Sequence, residues 1–271
     1  MQKLVIRLKP LLILCMVFAF LSCGGGDGDG PPDPQPGPRT DQDVIDDFNN
    51  LDIQVGTNDL ELESTAEGVF WKFRLIVPEG ASSSNKKPLV LRLHGAAQAN
   101  SATAHQTTEC LVEPAFEGKD VYILSPNSNG ELWESQFNQV QIQALMYLTT
   151  SGLDVDVNRV IVTGYSDGGN GSWFYSQYFP GYFNAAIPMA TSYHNESNNG
   201  SVSKIDIPLY VIHGQNDELF PLATTQGFVD EYIDAGTDIT FVVAPGKVHN
   251  EPCTYVDELK DAVDWLYAEI W

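Results

Sequence analysis

Hydrophobic and polar positions fall into a regular order from about Val44 onward. Residues 52–63 and 68–78 alternate β-forming with polar side chains, as in WKFRLIV over positions 71–77. A period of two predicts strands with one wet face, the kind that suits an antiparallel sheet edge. Residues 88–93 (PLVLRL) form a fuller apolar run, suited to a central strand covered on both faces. Further strands are predicted at 120–125, 160–163, 183–190, 208–212 and 239–244. Segments with helical character fall between them: 98–110 as a helix or loop-helix, 136–149, the stretch after Gly169 to about Tyr178, 224–235 and 255–271. Strands that alternate with helices predict an α/β fold, with a mostly parallel central sheet and helices on both faces.

The first 43 residues break this pattern. Positions 1–10 carry three positive charges, and 11–21 are an apolar run too short for a comfortable membrane span. The run ends in Phe20-Leu21-Ser22-Cys23, followed by three glycines. This resembles a bacterial lipoprotein signal, cleaved before Cys23 with lipid attached to that residue, and implies a cell-envelope protein anchored to the outer membrane. Residues 23–43 are mostly Gly, Pro and Asp, which cannot bury a core and read as a disordered tether. The expected organisation is therefore a signal peptide over 1–22, a tether over 23–43 and a folded domain over 44–271.

Composition narrows the function. The 271-residue chain is 43% hydrophobic, enough for one large domain, and carries a net charge of −22. That sign makes nucleic acid an unsuitable partner, and it is read as a solubility device. Two cysteines, Cys110 and Cys253, remain outside the N-terminal segment. In an oxidising compartment they form either a disulfide or two separate buried thiols. No metal-ligand cluster, phosphate loop or dinucleotide fingerprint appears, so no metal and no cofactor are expected.

The chemistry centres on RVIVTGYSDGGNGSW, positions 159–173. An apolar β-branched run leads into Gly164-Tyr165-Ser166-Asp167-Gly168, and a helix can follow. A G-x-S-x-G between strand and helix is a nucleophile elbow: the turn lifts the serine out of the sheet, and the glycines let strand and helix approach. It also sets the Asp167 N–H at a helix start, where it can donate to an oxyanion. Further along, PLYVIHGQNDELFP (208–221) places Asp217 three residues after a strand-ending His-Gly, with Glu218 the weaker neighbour. PGKVHN (245–250) places His249 between the last strand and the last helix. The order Ser166, Asp217, His249 is that of a serine, acid and base triad on a sheet of this kind.

Residues 88–271 resemble the α/β-hydrolase superfamily. Positions 156–190 are similar to exported esterases of the polyhydroxybutyrate-depolymerase, feruloyl-esterase and predicted-peptidase type, through R-V-x-V-T-G-x-S-x-G-G, an aromatic-rich helix and a Phe-x-A-A strand. The resemblance implies that His94-Gly95-Ala96-Ala97 is the oxyanion loop, with the Ala96 N–H pairing that of Asp167 and His94 bracing the loop. Where many relatives carry a bulkier residue or Cys after His-Gly, this chain has alanine. The Asp167 carboxylate is a second departure and must point away from the oxyanion. Only 191–207 separate two late strands, too few residues for a lid domain. An open cleft is expected, with Trp133 and Tyr165 in its walls. The implied activity is a serine carboxylic-ester hydrolase acting as a monomer on short-acyl, polysaccharide-linked or polyester substrates. The alternatives are a peptidase with the same triad and a non-catalytic surface-binding lipoprotein.

Overall fold

The computed structural model describes residues 37–197 and 200–271. The segment read as a signal peptide, Cys23 and most of the segment read as a tether lie outside the described residues. One compact unit spans Pro38–Trp271. It starts earlier than the composition suggests, because helix α1 (Asp41–Asn49) begins inside the segment read as tether. The cause is local: Thr40 and Asp43 form a reciprocal capping box, and the apolar Val44 and Phe48 are buried. Arg39 pairs with Asp47 at 2.7 Å and donates to the Ser64 carbonyl, tying the helix start to the sheet edge.

The alternating segments become β1 (Gly56–Glu63) and β2 (Phe70–Val77), and the apolar runs become β3 (Lys87–Leu93), β4 (Tyr122–Pro126), β5 (Val155–Tyr165), β6 (Ala185–Met189), β7 (Leu209–Gly214) and β8 (Ile239–Ala244). They form one eight-stranded sheet in the order β1-β2-β4-β3-β5-β6-β7-β8. β1 and β2 are antiparallel at one edge, and β4 through β8 run parallel. This is the predicted architecture, and its parallel strands all end on the same edge of the sheet.

Side chains of β3 and β5 alternate between two cores, as the strand pleat requires. Leu89, Leu91, Leu93, Val160 and Val162 join one core with residues of α1, α3 (Gln136–Gly152), α4 (Asp167–Tyr178) and α5 (Leu222–Asp234). Val90 and Ile161 join the other, with α2 (Val112–Ala115) and α6 (Val256–Trp265). Helices therefore cover both faces.

Two predicted helices change. The segment 98–110 holds only two short 3-10 turns, Ala97–Ala99 and Ala104–Gln106, because its order comes from tertiary hydrogen bonds. Arg92 donates to the carbonyls of Ala104 and Thr107, and Arg74 donates to that of Gln106. The C-terminal helix gives way at Leu266–Ile270 to a π turn. Among the described residues no helix is long and apolar enough to cross a membrane.

Candidate active site

β5 delivers Ser166 to the carboxyl edge of the sheet. Its backbone has φ 58 and ψ −121, a strained conformation for a residue with a side chain. The strain is held by the Ser166 N–H donating to the Met189 carbonyl, 3.0 Å, and by the glycines on either side. A Cβ on Gly164 would lie 2.3 Å from the Gly168 carbonyl oxygen, and one on Gly168 would lie 2.0 Å from that of Leu93. Strand, elbow and helix can close together only without those carbons.

The turn after β7 supplies Asp217, which is 5% exposed. Its Oδ1 accepts the N–H groups of Leu219 at 3.0 Å and Phe220 at 2.8 Å. Its Oδ2 lies 2.8 Å from His249 Nδ1. The loop after β8 supplies His249, whose Nε2 lies 3.0 Å from Ser166 Oγ. A carboxylate only accepts, so Nδ1 carries the proton, and in the neutral ring Nε2 is left as the acceptor facing the serine hydroxyl. Three residues from three loops form one hydrogen-bonded line. Glu218 is exposed and takes no part in it.

The histidine loop is fixed from below. Tyr165 donates its hydroxyl to the His249 carbonyl at 2.8 Å, and Tyr255 donates to that of Val248 at 3.3 Å. The two tyrosine rings meet edge to face. Burial pushes the Tyr165 phenol far up, so it stays a protonated donor. Cys110 and Cys253 are joined as a disulfide, with Cα atoms 4.9 Å apart.

His94 braces the loop after β3, as the resemblance implies. Its Nε2 accepts the Ser128 N–H at 3.1 Å, so Nδ1 is the protonated nitrogen and donates to the Gly95 carbonyl at 2.8 Å. Burial pushes its pKa down to about 4, which keeps the ring neutral. Ala96 sits in the left-handed region, with φ 50 and ψ 47. The Asp167 N–H opens α4, where a helix has no internal acceptor for it. The Asp167 carboxylate accepts the N–H of Ala97 at 2.9 Å, pointing into the loop.

A cleft of about 580 Å³ opens beside Ser166. Tyr165 lines it, together with Leu111, Val112, Met189, Glu109 and Pro252. Trp133 does not. It is fully buried, donates its indole N–H to the His94 carbonyl at 2.9 Å and packs edge-on against the His94 ring. A Trp whose one polar atom finds a partner in the interior stays there, and the expectation of a cleft wall is corrected to a support beneath the loop after β3. Sequence reasoning missed the actual walls, residues 104–112 and 250–252, because the first was read as helical. It also missed Ser128, whose hydroxyl holds the Ala97 carbonyl at 2.6 Å and which no motif marks.

The other histidines stand apart. His105 accepts from Asn127, His194 pairs with Glu231, and His213 bonds the Phe220 carbonyl. Among the described residues no group of three or more His, Cys, Asp or Glu could hold a metal ion.

A strained serine elbow at the carboxyl edge of a mostly parallel sheet, faced by a histidine and a carboxylate from later loops, is the arrangement found on the fold of the α/β-hydrolase superfamily. The chain has the fold of that superfamily. The model of the dienelactone hydrolase family matches residues 126–260, which contain Ser166, Asp217 and His249. No curated protein matches the chain by sequence. Among solved structures, a thermostable esterase is 22% identical with a TM-score of 0.63; the alignment covers 83% of this chain and 63% of that one. Est1E from Butyrivibrio proteoclasticus is 15% identical with a TM-score of 0.59, covering 78% of this chain and 99% of that one. A truncated carbohydrate esterase from gut microbiota is 17% identical with a TM-score of 0.58, covering 72% and 90%. At these identities the likeness defines the fold.

Proposed function

We propose that the protein is a serine carboxylic-ester hydrolase. The observation that carries this reading is the line Asp217–His249–Ser166, with contacts of 2.8 and 3.0 Å. Ser166 Oγ attacks the ester carbonyl carbon while His249 Nε2 takes the hydroxyl proton. Asp217 holds the Nδ1–H tautomer and stabilises the imidazolium. The carbonyl oxygen becomes an oxyanion beside the N–H groups of Ala96 and Asp167. Collapse of the tetrahedral centre breaks the ester C–O bond, and His249 returns the proton to the leaving alcohol. Water then repeats the sequence on the acyl-enzyme, giving the free acid and restoring the Ser166 hydroxyl.

The substrates are short-acyl, polysaccharide-linked or polyester esters. A cleft bordered by the exposed Ala96, Ser101, Thr107, Glu109 and Asn250 supports access to the site for esters on larger molecules. The protein acts as an exported monomer held at the cell envelope by lipid on Cys23. The Cys23 reading rests on the N-terminal sequence, and the Cys110–Cys253 disulfide supports an oxidising compartment.

The test is hydrolysis of p-nitrophenyl esters from acetate to octanoate by the protein and by Ser166→Ala. Turnover of the short esters that vanishes in the variant is the expected result. Folded protein with no turnover of any ester would sink the esterase reading. Cleavage of amide substrates would then favour a peptidase, and failure to react with a fluorophosphonate would favour a non-catalytic binding role.

A further inference from the structure

An aspartate directly after the reactive serine poses a chemical problem. Its charge sits beside the N–H that is to stabilise an oxyanion, and it would oppose the charge that forms there. The structure shows where the carboxylate goes. Asp167 Oδ2 accepts the N–H of Ala97, 70 positions earlier in the chain. That N–H belongs to the loop carrying the other oxyanion donor, so the contact joins the two halves of the oxyanion site.

Ala96 is held at φ 50 and ψ 47, which an alanine adopts only when its surroundings impose it. Two peptide planes flank it. In the plane before it, the Gly95 carbonyl is held by His94 Nδ1–H. In the plane after it, the Ala96 carbonyl accepts the Ala99 N–H at 3.0 Å, and the Ala97 N–H is held by Asp167. Fixing both planes fixes the torsions of Ala96 and so the direction of its own N–H. The loop also abuts the elbow: a Cβ on Gly95 would lie 3.1 Å from the Tyr165 carbonyl oxygen and 3.4 Å from Ser166 Cβ.

We propose that the Asp167 carboxylate is a positioning group for oxyanion stabilisation: its bond to Ala97 keeps Ala96 in the conformation that aims the Ala96 N–H at the reacting centre. The same bond turns the negative charge away from the oxyanion. Asp167 acts here through Ala97 and does not touch the substrate with its side chain. The inference rests on the esterase reading above.

The experiment compares Asp167→Ala and Asp167→Asn with the parent protein and Ser166→Ala. It measures kcat and KM for p-nitrophenyl acetate, the inhibition constant of phenylboronic acid, which forms a tetrahedral adduct on serine, and thermal unfolding. Removing one oxyanion donor outright lowers kcat by about 10²–10³, so misaiming it in Asp167→Ala is expected to lower kcat by about 10- to 100-fold. KM is expected to stay within about threefold, and boronate affinity to fall in step with kcat, because the lost interaction belongs to the tetrahedral state. The Asn amide oxygen can still accept the Ala97 N–H, so Asp167→Asn is expected to recover about tenfold or more over Asp167→Ala. A folded Asp167→Ala with kcat within about threefold of the parent overturns the proposal. So does an Asn variant no better than the Ala variant. If Asp167→Ala does not fold, Asp167→Ser, too short to reach Ala97, takes its place under the same criteria. A parent protein that turns over no ester removes the esterase reading and this inference with it. Turnover that depends on Ser166 but ignores residue 167 removes this inference alone.

Discussion

The two carboxylate oxygens of Asp217 have separate tasks, and that division predicts what an almost isosteric substitution will do. Oδ1 accepts two backbone N–H groups, from Leu219 and Phe220, while Oδ2 accepts His249 Nδ1–H. In Asp217→Asn the side chain can place its oxygen toward only one of these sets. With NH2 toward the two backbone donors, both hydrogen bonds are lost, at about 1 kcal/mol each, and two part-buried N–H groups lose their acceptor. The oxygen therefore stays with the backbone, and the NH2 faces Nδ1. A donor opposite Nδ1 forces that nitrogen to accept, which moves the ring proton to Nε2. Nε2 then presents a proton to Ser166 and can no longer take one. Inverting the tautomer in this way costs about 10⁴-fold in kcat, or about 5.4 kcal/mol of barrier. The backbone bonds survive, so the urea midpoint should barely move. Steady-state kinetics on p-nitrophenyl acetate and the imidazole ¹⁵N shifts of His249 check the two halves of the argument. An Asn variant within tenfold of the parent rate, or one that keeps the Nδ1–H tautomer, would refute it.

Three further expectations follow from other parts of the molecule. Cys110 and Cys253 are 143 positions apart, so replacing both with serine should cost about 2–5 kcal/mol of stability, read as a lower urea midpoint; an unchanged midpoint would contradict it. His94 titrates near 4 in the folded protein against about 6.5 unfolded, so the unfolded chain binds more protons between those values. The stability this residue contributes is complete above pH 6.5 and declines toward pH 4, by up to about 3 kcal/mol. His105 and His213, also lowered by burial, act in the same sense, so urea melts at pH 7.5 and 5 should differ less in His94→Gln without becoming equal. Gly168→Ala would push a methyl group to 2.0 Å from the Leu93 carbonyl oxygen, on a backbone that cannot swing aside. The misfit should cost about 3 kcal/mol or more and lower soluble yield, and a variant as stable as the parent would show that the elbow has slack.

Hydrophobic patterning revealed most of the fold, because parallel strands buried on both faces leave long apolar runs and antiparallel edge strands leave alternation. Ser166, Asp217 and His249 were legible for a related reason: each follows a strand whose pattern is plain, and loop position after a strand places a side chain at the sheet's carboxyl edge. The cleft walls were not legible. Residues 97–115 take their shape from Arg74, Arg92 and the disulfide, contacts set by distant parts of the chain that leave no local periodicity. Trp133 misled for the opposite reason. Size and aromaticity suit a cleft wall and a core equally, and only the His94 carbonyl above its indole decides between them. The start of the domain was hidden as well, since the capping box at Thr40 and Asp43 lies in a run whose composition reads as linker.

β8 is the last strand of the sheet and pairs only with β7, and most of its side chains are half-buried. His249 hangs from the end of this strand, while Ser166 stands on β5 near the centre. The two side chains thus belong to regions of unequal local stability. Sheet edges open more readily than centres, so the weakest opening that separates them involves the outer strand and its loop rather than the core. Catalysis would then report on edge fraying. Activity is expected to be lost at a lower urea concentration than core tryptophan fluorescence, with the disulfide and the Tyr165 hydroxyl setting the width of the gap, and coincident curves would contradict this.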